Sequence, residues 1–196
     1  MVSALVLIAD GTEEMEFTIT YDTLVRAGVN TTSAFVNASE KSEGTLPQYA
    51  RCSRGLKIIP DTNFDLLKCG PENYDLFVIP GGADGAKTMS QNEDVQALVR
   101  EFLKEKKFVG MICAGSLTAL TAGLPRQLIT SHPSVKSHLV NGFDYSEDSV
   151  VVSGYLITRR EGTAFPFALT LVELLCGSAK RKEVYNPMVF PLGTPF

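Results

Sequence analysis

One stretch of the chain indicates the fold most directly, and it reads Phe108-Val109-Gly110-Met111-Ile112-Cys113-Ala114-Gly115-Ser116. Its apolar first half is typical of a buried β-strand, and the abrupt change to a cysteine and small residues predicts a sharp turn from strand into helix. On such a turn the thiol of Cys113 would lie near the first N–H groups of the helix, whose partial positive charge stabilises a thiolate. Alkylation is therefore expected to stay fast below the ordinary thiol pKa of about 8.5. The alternative is that Cys113 is a small buried hydrophobic residue.

The segments on either side of this stretch alternate between strand and helix. Buried strands are predicted over residues 3–9, 31–36, 76–79 and 108–112, and helices over residues 13–27, 93–105 and 164–175. A short helix from residue 116 and helical turns at residues 64–68 and beyond residue 178 are also predicted. Short strands are predicted near residues 50–52 and 56–59, and strands that complete the sheet near residues 128–130, 150–152 and 155–158. Repeated strand-then-helix units predict a doubly wound α/β sandwich, with a mostly parallel central sheet and helices on both faces. The polar segment 37–49 is interpreted as a loop at the rim of the site or at a dimer contact.

Size and composition predict one compact domain over residues 1–196. Apolar residues make up 44% of the chain and charged residues 20%, and the mean hydropathy is +0.08, which is not the composition of a disordered chain. The apolar start at residues 2–9 has no basic segment before it and is interrupted by Asp10. Neither a signal peptide nor a membrane-spanning helix is therefore predicted.

The charge and the cysteine and histidine counts argue against several classes of function. A net charge of -4 and a pI near 5.2 argue against binding to nucleic acid or to an anionic membrane surface. The chain has only two histidines and no carboxylate cluster, so no metal site is predicted. Reduced thiols in the cytoplasm are favoured by four scattered cysteines, which are Cys52, Cys69, Cys113 and Cys176.

The loop after the first predicted strand brings carboxylates to the edge of the sheet at which parallel α/β folds bind ligands. Glu16 lies among Met15 and Phe17, so burial is expected to raise its pKa. It could then donate a hydrogen bond to the thiolate or act as a general acid and base. The alternative, which is favoured for Glu13 and Glu14, is that the carboxylates only complement the helix dipole.

Two further loops end at the same edge. The turn Gly81-Gly82 leaves backbone N–H groups free to approach an oxygen, and together with the amide of Ala114 it could form an oxyanion hole. The residues that follow lack the Gly-Lys-Ser/Thr of a phosphate loop, which disfavours nucleotide binding. His132 directly follows a predicted strand and could serve as a base for Cys113, although a lone histidine is usually structural.

Five motifs follow one another along the chain: Ala9-Asp10-Gly11-Thr12-Glu13-Glu14-Met15-Glu16, Tyr74-Asp75-Leu76 with Pro80-Gly81-Gly82, Met111-Ile112-Cys113-Ala114-Gly115-Ser116, Ser131-His132-Pro133 and Gly162-Thr163-Ala164-Phe165. Together they resemble the ThiJ/PfpI superfamily, and more narrowly its Parkinson-disease-associated deglycase branch. The resemblance implies a flavodoxin-like fold, a homodimer, and a helix glutamate, Glu16, that hydrogen-bonds an oxidation-sensitive Cys113. It also implies that His132 lies near this nucleophile. The amides that would surround the substrate oxygen are those of Gly81, Gly82 and Ala114.

The same resemblance implies a glyoxalase III-type lyase that converts methylglyoxal and glyoxal to hydroxy acids without glutathione or any cofactor. Cys113 would add to the aldehyde, and Glu16 would move a proton between adjacent carbons. Three alternatives use the same oxidisable thiol: a stress-linked thiol sensor, a redox-regulated chaperone and a protein deglycase. The expected partners are the small aldehyde and a second copy of the chain. The expected location is the cytoplasm, with the nucleus as a second compartment.

Overall fold

The computed structural model describes residues 1–38, 49–160 and 162–194. Its central sheet has seven strands, in the spatial order β10 (Val150–Ser153), β11 (Leu156–Arg159), β7 (Phe108–Ile112), β6 (Leu76–Ile79), β1 (Ser3–Ile8), β2 (Asn30–Phe35) and β5 (Thr62–Asn63). Neighbouring strands are parallel except for β10 and β11, which are antiparallel. The predicted α/β fold with a mostly parallel sheet is confirmed.

Helices cover both faces of this sheet. They are α1 (Glu14–Arg26), α2 (Ala83–Gln91), α3 (Glu93–Lys104), α4 (Leu117–Thr121), α5 (Pro133–Leu139), α6 (Phe165–Cys176) and α7 (Ser178–Tyr185), with 3-10 helices at Cys113–Ser116 and Asn186–Met188. Side chains of β1 alternate between the faces: Leu5 and Leu7 pack in the cluster that includes α3, and Val6 and Ile8 in the cluster that includes α1 and α6. The three long helices predicted from sequence correspond to α1, α3 and α6, each with ends within one residue of the prediction, and α4 and α7 lie where a short helix and a helical turn are predicted.

The position of β1 inside the sheet creates a crevice. Strands β2 and β6 flank β1, and α1 and α2, which follow β1 and β6, pack on opposite faces of the sheet. The parallel part of the order, β2-β1-β6-β7-β11, is the arrangement of flavodoxin-like sheets, in which ligands bind where the two connections diverge. The loops after β1, β6 and β7 all end at this edge.

One predicted strand lies outside the central sheet. Strand β8 (Leu128–Ile129) pairs in parallel with β9 (Asp144–Tyr145), so the prediction that residues 128–130 complete the main sheet is wrong. The reason is visible at Thr130, whose backbone N–H donates to the side-chain hydroxyl of Thr158 in β11 at 2.9 Å. A side chain thus takes the place of a ladder hydrogen bond. A second small sheet pairs β3 (Ala50–Arg51) with β4 (Lys57–Ile58) in antiparallel fashion.

Two helices, α2 and α5, are absent from the sequence prediction. The residues of α2 have weak helix propensity, but Ala86 and Met89 are buried in the core, and this packing outweighs propensity. Helix α5 begins at Pro133, which suits the first position of a helix, and Nδ1 of His132 accepts the N–H of Ser134 at 3.1 Å as its cap. Tertiary packing therefore stabilises α2, and capping stabilises α5.

Two further expectations concern the surface of the chain. The loop predicted over residues 37–49 falls mainly on residues 39–48, which lie outside the described residues. In the part of the chain that the structure describes, none of the helices combines the length and the apolar character needed to cross a bilayer.

Candidate active site

Strand β7 ends in a sharp turn that carries Cys113. Ile112 is still extended, with φ of -120° and ψ of 143°, whereas Cys113 has φ of 61°, in the left-handed region that residues other than glycine rarely adopt. The 3-10 helix Cys113–Ser116 begins at this residue and leads into α4. The strand-to-helix turn predicted from sequence is therefore present, and its backbone is held in a strained conformation.

Small residues follow the cysteine because the turn packs against the end of β6. A Cβ on Gly115 would lie 2.5 Å from the carbonyl oxygen of Ile79 and 2.8 Å from that of Pro80, closer than side chains can approach. Ser116 is fully buried, and its hydroxyl donates to the carbonyl of Thr130 at 2.9 Å. These contacts fix the turn against its neighbouring loops.

Gly81 allows Glu16 and Cys113 to come together because it has no side chain. A Cβ on Gly81 would lie 2.6 Å from Oε2 of Glu16, 2.7 Å from Cβ of Cys113 and 3.1 Å from its Sγ. The carboxylate and the thiol therefore flank the same glycine. The N–H of Gly81 donates to Oε2 of Glu16 at 2.7 Å, so the amide that was expected to hold a substrate oxygen positions the carboxylate instead.

Glu16 is buried, with 6% of its surface exposed. Burial raises its pKa from 4.5 to about 7, and the charge of Glu13 adds to the rise. Hydrogen bonds from Cys113 and Gly81, together with the charge of Arg159, oppose it. The predicted burial and raised pKa of Glu16 are confirmed. A carboxyl group that titrates near pH 7 can both accept and return a proton under physiological conditions.

The carboxylates of Glu13 and Glu14 also lie at the start of α1. Oε2 of Glu13 accepts the N–H of Glu16 at 2.8 Å and so caps the helix. Glu14 accepts the hydroxyl of Ser53 at 2.7 Å and the N–H of Arg54 at 2.8 Å, and so binds the adjoining hairpin. Their position agrees with the helix-terminal role that the sequence favours for both.

The proton affinity of the Cys113 thiol differs from the prediction. Burial and the carboxylate of Glu16 raise the pKa of this thiol, whereas hydrogen bonds from the amides of Ala114 and Gly82 lower it. The net shift is upward, so the expected low thiol pKa is wrong: a buried carboxylate outweighs the amides at the helix start. Between the two titrations the pair holds one proton, which can pass from sulfur to the carboxylate.

Two backbone amides, of Gly82 and Ala114, reach the sulfur of Cys113. Gly82 has φ of 90°, and a Cβ on it would lie 2.1 Å from the carbonyl oxygen of Gly11, so this turn requires glycine. Ala114 lies in the 3-10 helix that follows the turn. Two N–H groups that converge on sulfur are placed where they could bind an oxygen developing on a carbon attached to that sulfur.

The backbone of His132 contacts the turn that carries Cys113. Its N–H donates to the carbonyl of Cys113 at 3.2 Å. In the side chain, Nδ1 accepts the N–H of Ser134 and lies 2.7 Å from the Ser134 hydroxyl, so the imidazole caps α5. This contact accounts for the position of His132 without a catalytic role, and its function as a base stays a prediction. His138, on the same helix, is exposed, as predicted.

Arg159 is a residue of this edge that the sequence analysis missed. It is the last residue of β11, it pairs in register with Ile112, and it is 4% exposed. Its guanidinium donates to the carbonyls of Ser149 at 2.9 Å and Thr163 at 2.8 Å. An arginine at the end of an apolar strand is normally interpreted as a solvated strand end. Its position at the same sheet edge as Cys113 is the signal that could have identified it.

Groups suited to a metal or a nucleotide are not assembled in the described ranges. No three His, Cys, Asp or Glu side chains there form a set of metal ligands. In the glycine turn after β6, one N–H binds Glu16, and the next residue, Gly82, is the N-cap residue of α2. This glycine turn therefore positions the carboxylate of Glu16 and the thiol of Cys113 next to each other.

Comparison with known proteins identifies the family of the chain. The model of the DJ-1/PfpI family matches residues 2–174. A Schizosaccharomyces pombe protein named "Glutathione-independent glyoxalase DJ-1" is 39% identical over 198 residues, covering 97% of this chain and 100% of its own. A Caenorhabditis elegans protein named "Glutathione-independent glyoxalase DJR-1.2" is 32% identical over 189 residues, covering 95% of each chain. The crystal structure of Drosophila melanogaster DJ-1beta superimposes with a TM-score of 0.87 at 37% identity, covering 97% of this chain and 98% of that chain. The family model and these relatives cover nearly the whole chain, which therefore belongs to the DJ-1/PfpI family.

Proposed function

We propose that this chain is a glutathione-independent glyoxalase that converts methylglyoxal to lactate and glyoxal to glycolate. The observation that carries the proposal is the pair formed by Glu16 and Cys113 on either side of Gly81. A carboxylate with a pKa of about 7 next to a nucleophilic sulfur supplies both groups that the reaction needs. The names of the yeast and nematode relatives support the same activity.

The first step is addition of sulfur to the aldehyde. Sγ of Cys113 attacks the aldehyde carbon, a C–S bond forms, and the thiol proton passes to Glu16. Because the thiol pKa is raised, the reaction at neutral pH requires this accepting carboxylate. Negative charge develops on the aldehyde oxygen, where the N–H groups of Gly82 and Ala114 could stabilise it. Glu16 then returns the proton to this oxygen, which gives a hemithioacetal.

The second step is a proton transfer between adjacent carbons. Glu16, ionised again, removes the hydrogen from the carbon bound to sulfur, and an enediolate forms. The same carboxyl group delivers its proton to the neighbouring carbon, and the hydroxyl proton on the carbon bound to sulfur passes to the oxygen of that neighbouring carbon. The product is the thioester of a 2-hydroxy acid. One carbon is oxidised as its neighbour is reduced, so the step balances without an external electron acceptor.

The third step is hydrolysis of the thioester. Water attacks the carbonyl carbon, the C–S bond breaks, and the sulfur of Cys113 recovers a proton as the hydroxy acid leaves. The amides of Gly82 and Ala114 could hold the oxygen of the tetrahedral intermediate. His132 is predicted either to polarise the second carbonyl or to activate this water, and since its Nδ1 caps α5, either role would use Nε2.

Lactate formation from methylglyoxal in buffer without glutathione or other thiols tests the proposal. We expect the purified chain to form one lactate for each methylglyoxal consumed, over many turnovers, at neutral pH. Heat-denatured protein at the same concentration controls for capture of the aldehyde by lysine and arginine side chains. Stoichiometric loss of methylglyoxal without lactate would contradict the proposal.

A thiol sensor is the second candidate, and one observation favours it. Cys113 is partly exposed and is reached by two amides and a carboxyl group that can hold a proton, which could also bind the oxygens of an oxidised sulfur. Absence of lactate from the wild-type chain, together with oxidation of Cys113 to sulfinate at low peroxide, would favour the sensor. Release of lactate from glycated peptides, with a control for free aldehyde, would favour the deglycase.

The predicted homodimer is supported by exposed apolar side chains on α1 and on the segment around β4. Met15, Val25, Leu56 and Ile59 are between 48% and 74% exposed, and large apolar side chains of this kind would be covered in a dimer. We expect sedimentation of the wild-type chain at the mass of a dimer and of Val25→Asp at the mass of a monomer. Leu192→Asp, at an exposed tail residue, is the matched control and should remain dimeric. A monomeric wild type would contradict the prediction.

A further inference from the structure

Two side chains with formal charges are buried in the described residues, and their charges are opposite. They are Glu16 and Arg159, whereas every other Asp, Glu, Lys and Arg in residues 1–38, 49–160 and 162–194 is partly or fully exposed. Charged side chains are rarely buried unless an opposite charge or a functional requirement compensates for the lost hydration. This burial therefore calls for an explanation at both residues.

The two charges lie on either side of the strand that ends at Cys113. Glu16 reaches the thiol past Gly81, the second residue after β6, and β6 is one neighbour of β7. Arg159 ends β11, the other neighbour of β7, and pairs with Ile112, the residue before Cys113. The strand order thus places Glu16 and Arg159 beside opposite neighbours of the strand that ends at Cys113.

Arg159 is held firmly in this place. Its guanidinium donates to the carbonyl of Ser149, just before β10, and to the carbonyl of Thr163, just before α6. A Cβ on Gly162 would lie 3.6 Å from Nη2 of Arg159, so the segment before α6 lies close against the guanidinium. Both of these acceptors are carbonyl oxygens, and arginine stays protonated at every pH of interest. The positive charge is therefore permanent.

We propose that Arg159 is a positioning residue whose buried positive charge stabilises the anionic form of the Glu16–Cys113 pair and the enediolate that forms beside it. The part that concerns the enediolate rests on the proposed glyoxalase function. The part that concerns the pair does not require a substrate and can be tested separately.

Among the described residues, the other groups that act on Glu16 do not supply a positive charge. Glu13 is an acid, and Cys113 is neutral or anionic. Strands β1 and β2, on which α1 packs, contain no charged residue. Helix α6, which also packs on α1, has one charged residue, Glu173, and this residue pairs with Arg181 at 2.8 Å. His132, whose N–H donates to the carbonyl of Cys113, is a further titratable residue beside the turn.

The test compares neutral and charged replacements. Arg159→Gln and Arg159→Met remove the charge, and Arg159→Lys keeps it while losing the forked donor. Arg160→Gln is the matched control, because it removes a positive charge from the next residue, whose guanidinium pairs with Glu147 at 2.6 Å on the surface. The readout is the rate of Cys113 alkylation by iodoacetamide as a function of pH, measured on the Cys113 peptide by mass spectrometry.

We expect the wild-type alkylation rate to rise with a midpoint near pH 7, where Glu16 loses its proton. The midpoint should move upward by about one pH unit in the two neutral variants, the scale of one charge interaction in a partly polar interior. It should stay near the wild-type value in Arg159→Lys and Arg160→Gln. In the lactate assay the neutral variants should lose about tenfold in kcat at neutral pH and recover at higher pH.

Three results would overturn the proposal. One is an unchanged midpoint in folded neutral variants, whatever their melting temperatures, because Arg159 would then have only a structural role. Another is an equal shift in Arg160→Gln, which would indicate a general surface effect. The last is failure of both neutral variants to fold, which would assign the charge to stability. If the wild type forms no lactate but the midpoint still moves, the glyoxalase proposal fails and the role of Arg159 in the pair stands.

Discussion

The Cys113→Ser variant is expected to lose lactate formation from methylglyoxal by about 10⁴-fold or more, the scale seen when a covalent nucleophile is removed. A serine hydroxyl holds its proton far more tightly than a thiol, and Glu16 with a pKa of about 7 is too weak a base to remove it. The hemithioacetal cannot form, so neither the proton transfer nor the hydrolysis can follow. The measurement is kcat/KM for lactate release at neutral pH.

Cys176→Ser is the matched control for this loss. Cys176 ends α6, is partly exposed, and has a thiol pKa raised by burial. It lies outside the edge that carries the site, so the same chemical change there should leave kcat/KM within about twofold of wild type. Activity of Cys113→Ser within tenfold of wild type would rule out the covalent route and leave general base catalysis by Glu16 as the mechanism.

The Glu16→Gln variant should lower kcat by about 10²- to 10⁴-fold, the usual contribution of a general base. The amide oxygen of glutamine can still accept the N–H of Gly81, so the geometry is preserved while the proton acceptor is lost. Alkylation of Cys113 should also move to pH values above the ordinary thiol pKa of about 8.5, because burial raises the thiol pKa and no carboxylate can take its proton. Alkylation of the variant with the wild-type pH dependence would contradict the shared-proton pair.

The free energy of unfolding of the Glu16→Gln variant provides a second test. The pKa of Glu16 is 4.5 in the unfolded chain and about 7 in the folded one, so the folded state holds its proton more tightly. The stability that the folded chain gains from protonated Glu16 is fully present below pH 4.5 and is lost as the pH rises through 7. The loss lowers the free energy of unfolding by about 3 kcal/mol. Denaturant unfolding of Glu16→Gln should lack this decline and exceed wild-type stability above pH 7. Parallel pH profiles for the two proteins would show that Glu16 titrates with an ordinary pKa.

The parts of the fold that sequence patterns predict are those in which burial leaves a continuous apolar signal. Strands β1, β6 and β7 are covered on both faces, so their residues read as unbroken apolar runs. Helix α2 leaves no such pattern in the sequence, because the burial of Ala86 and Met89 stabilises it rather than the helix propensity of its residues. The assignment of β8 fails because the partner of Thr130 is a side chain 28 residues away.

In the site, too, some features follow from neighbouring residues in the sequence and others from contacts between distant segments. Burial of Glu16 follows from its apolar neighbours in the sequence, and its raised pKa follows from burial. The use of the Gly81 amide on that carboxylate depends on contact across 65 residues, which no local pattern contains. The thiol pKa of Cys113 was mispredicted for the same reason: the helix start is local, whereas the opposing carboxylate comes from another element.

The left-handed backbone at Cys113 lowers the stability of the fold at the same position that carries the reactive thiol. For a residue other than glycine this conformation costs about 1–2 kcal/mol, and glycine would relieve most of that strain. A library screened for heat resistance alone would thus be drawn toward glycine at position 113 and would enrich inert proteins. Selection for survival in aldehyde would run in the opposite direction, so the two screens applied to one library would separate the reactive thiol from the scaffold that tolerates it.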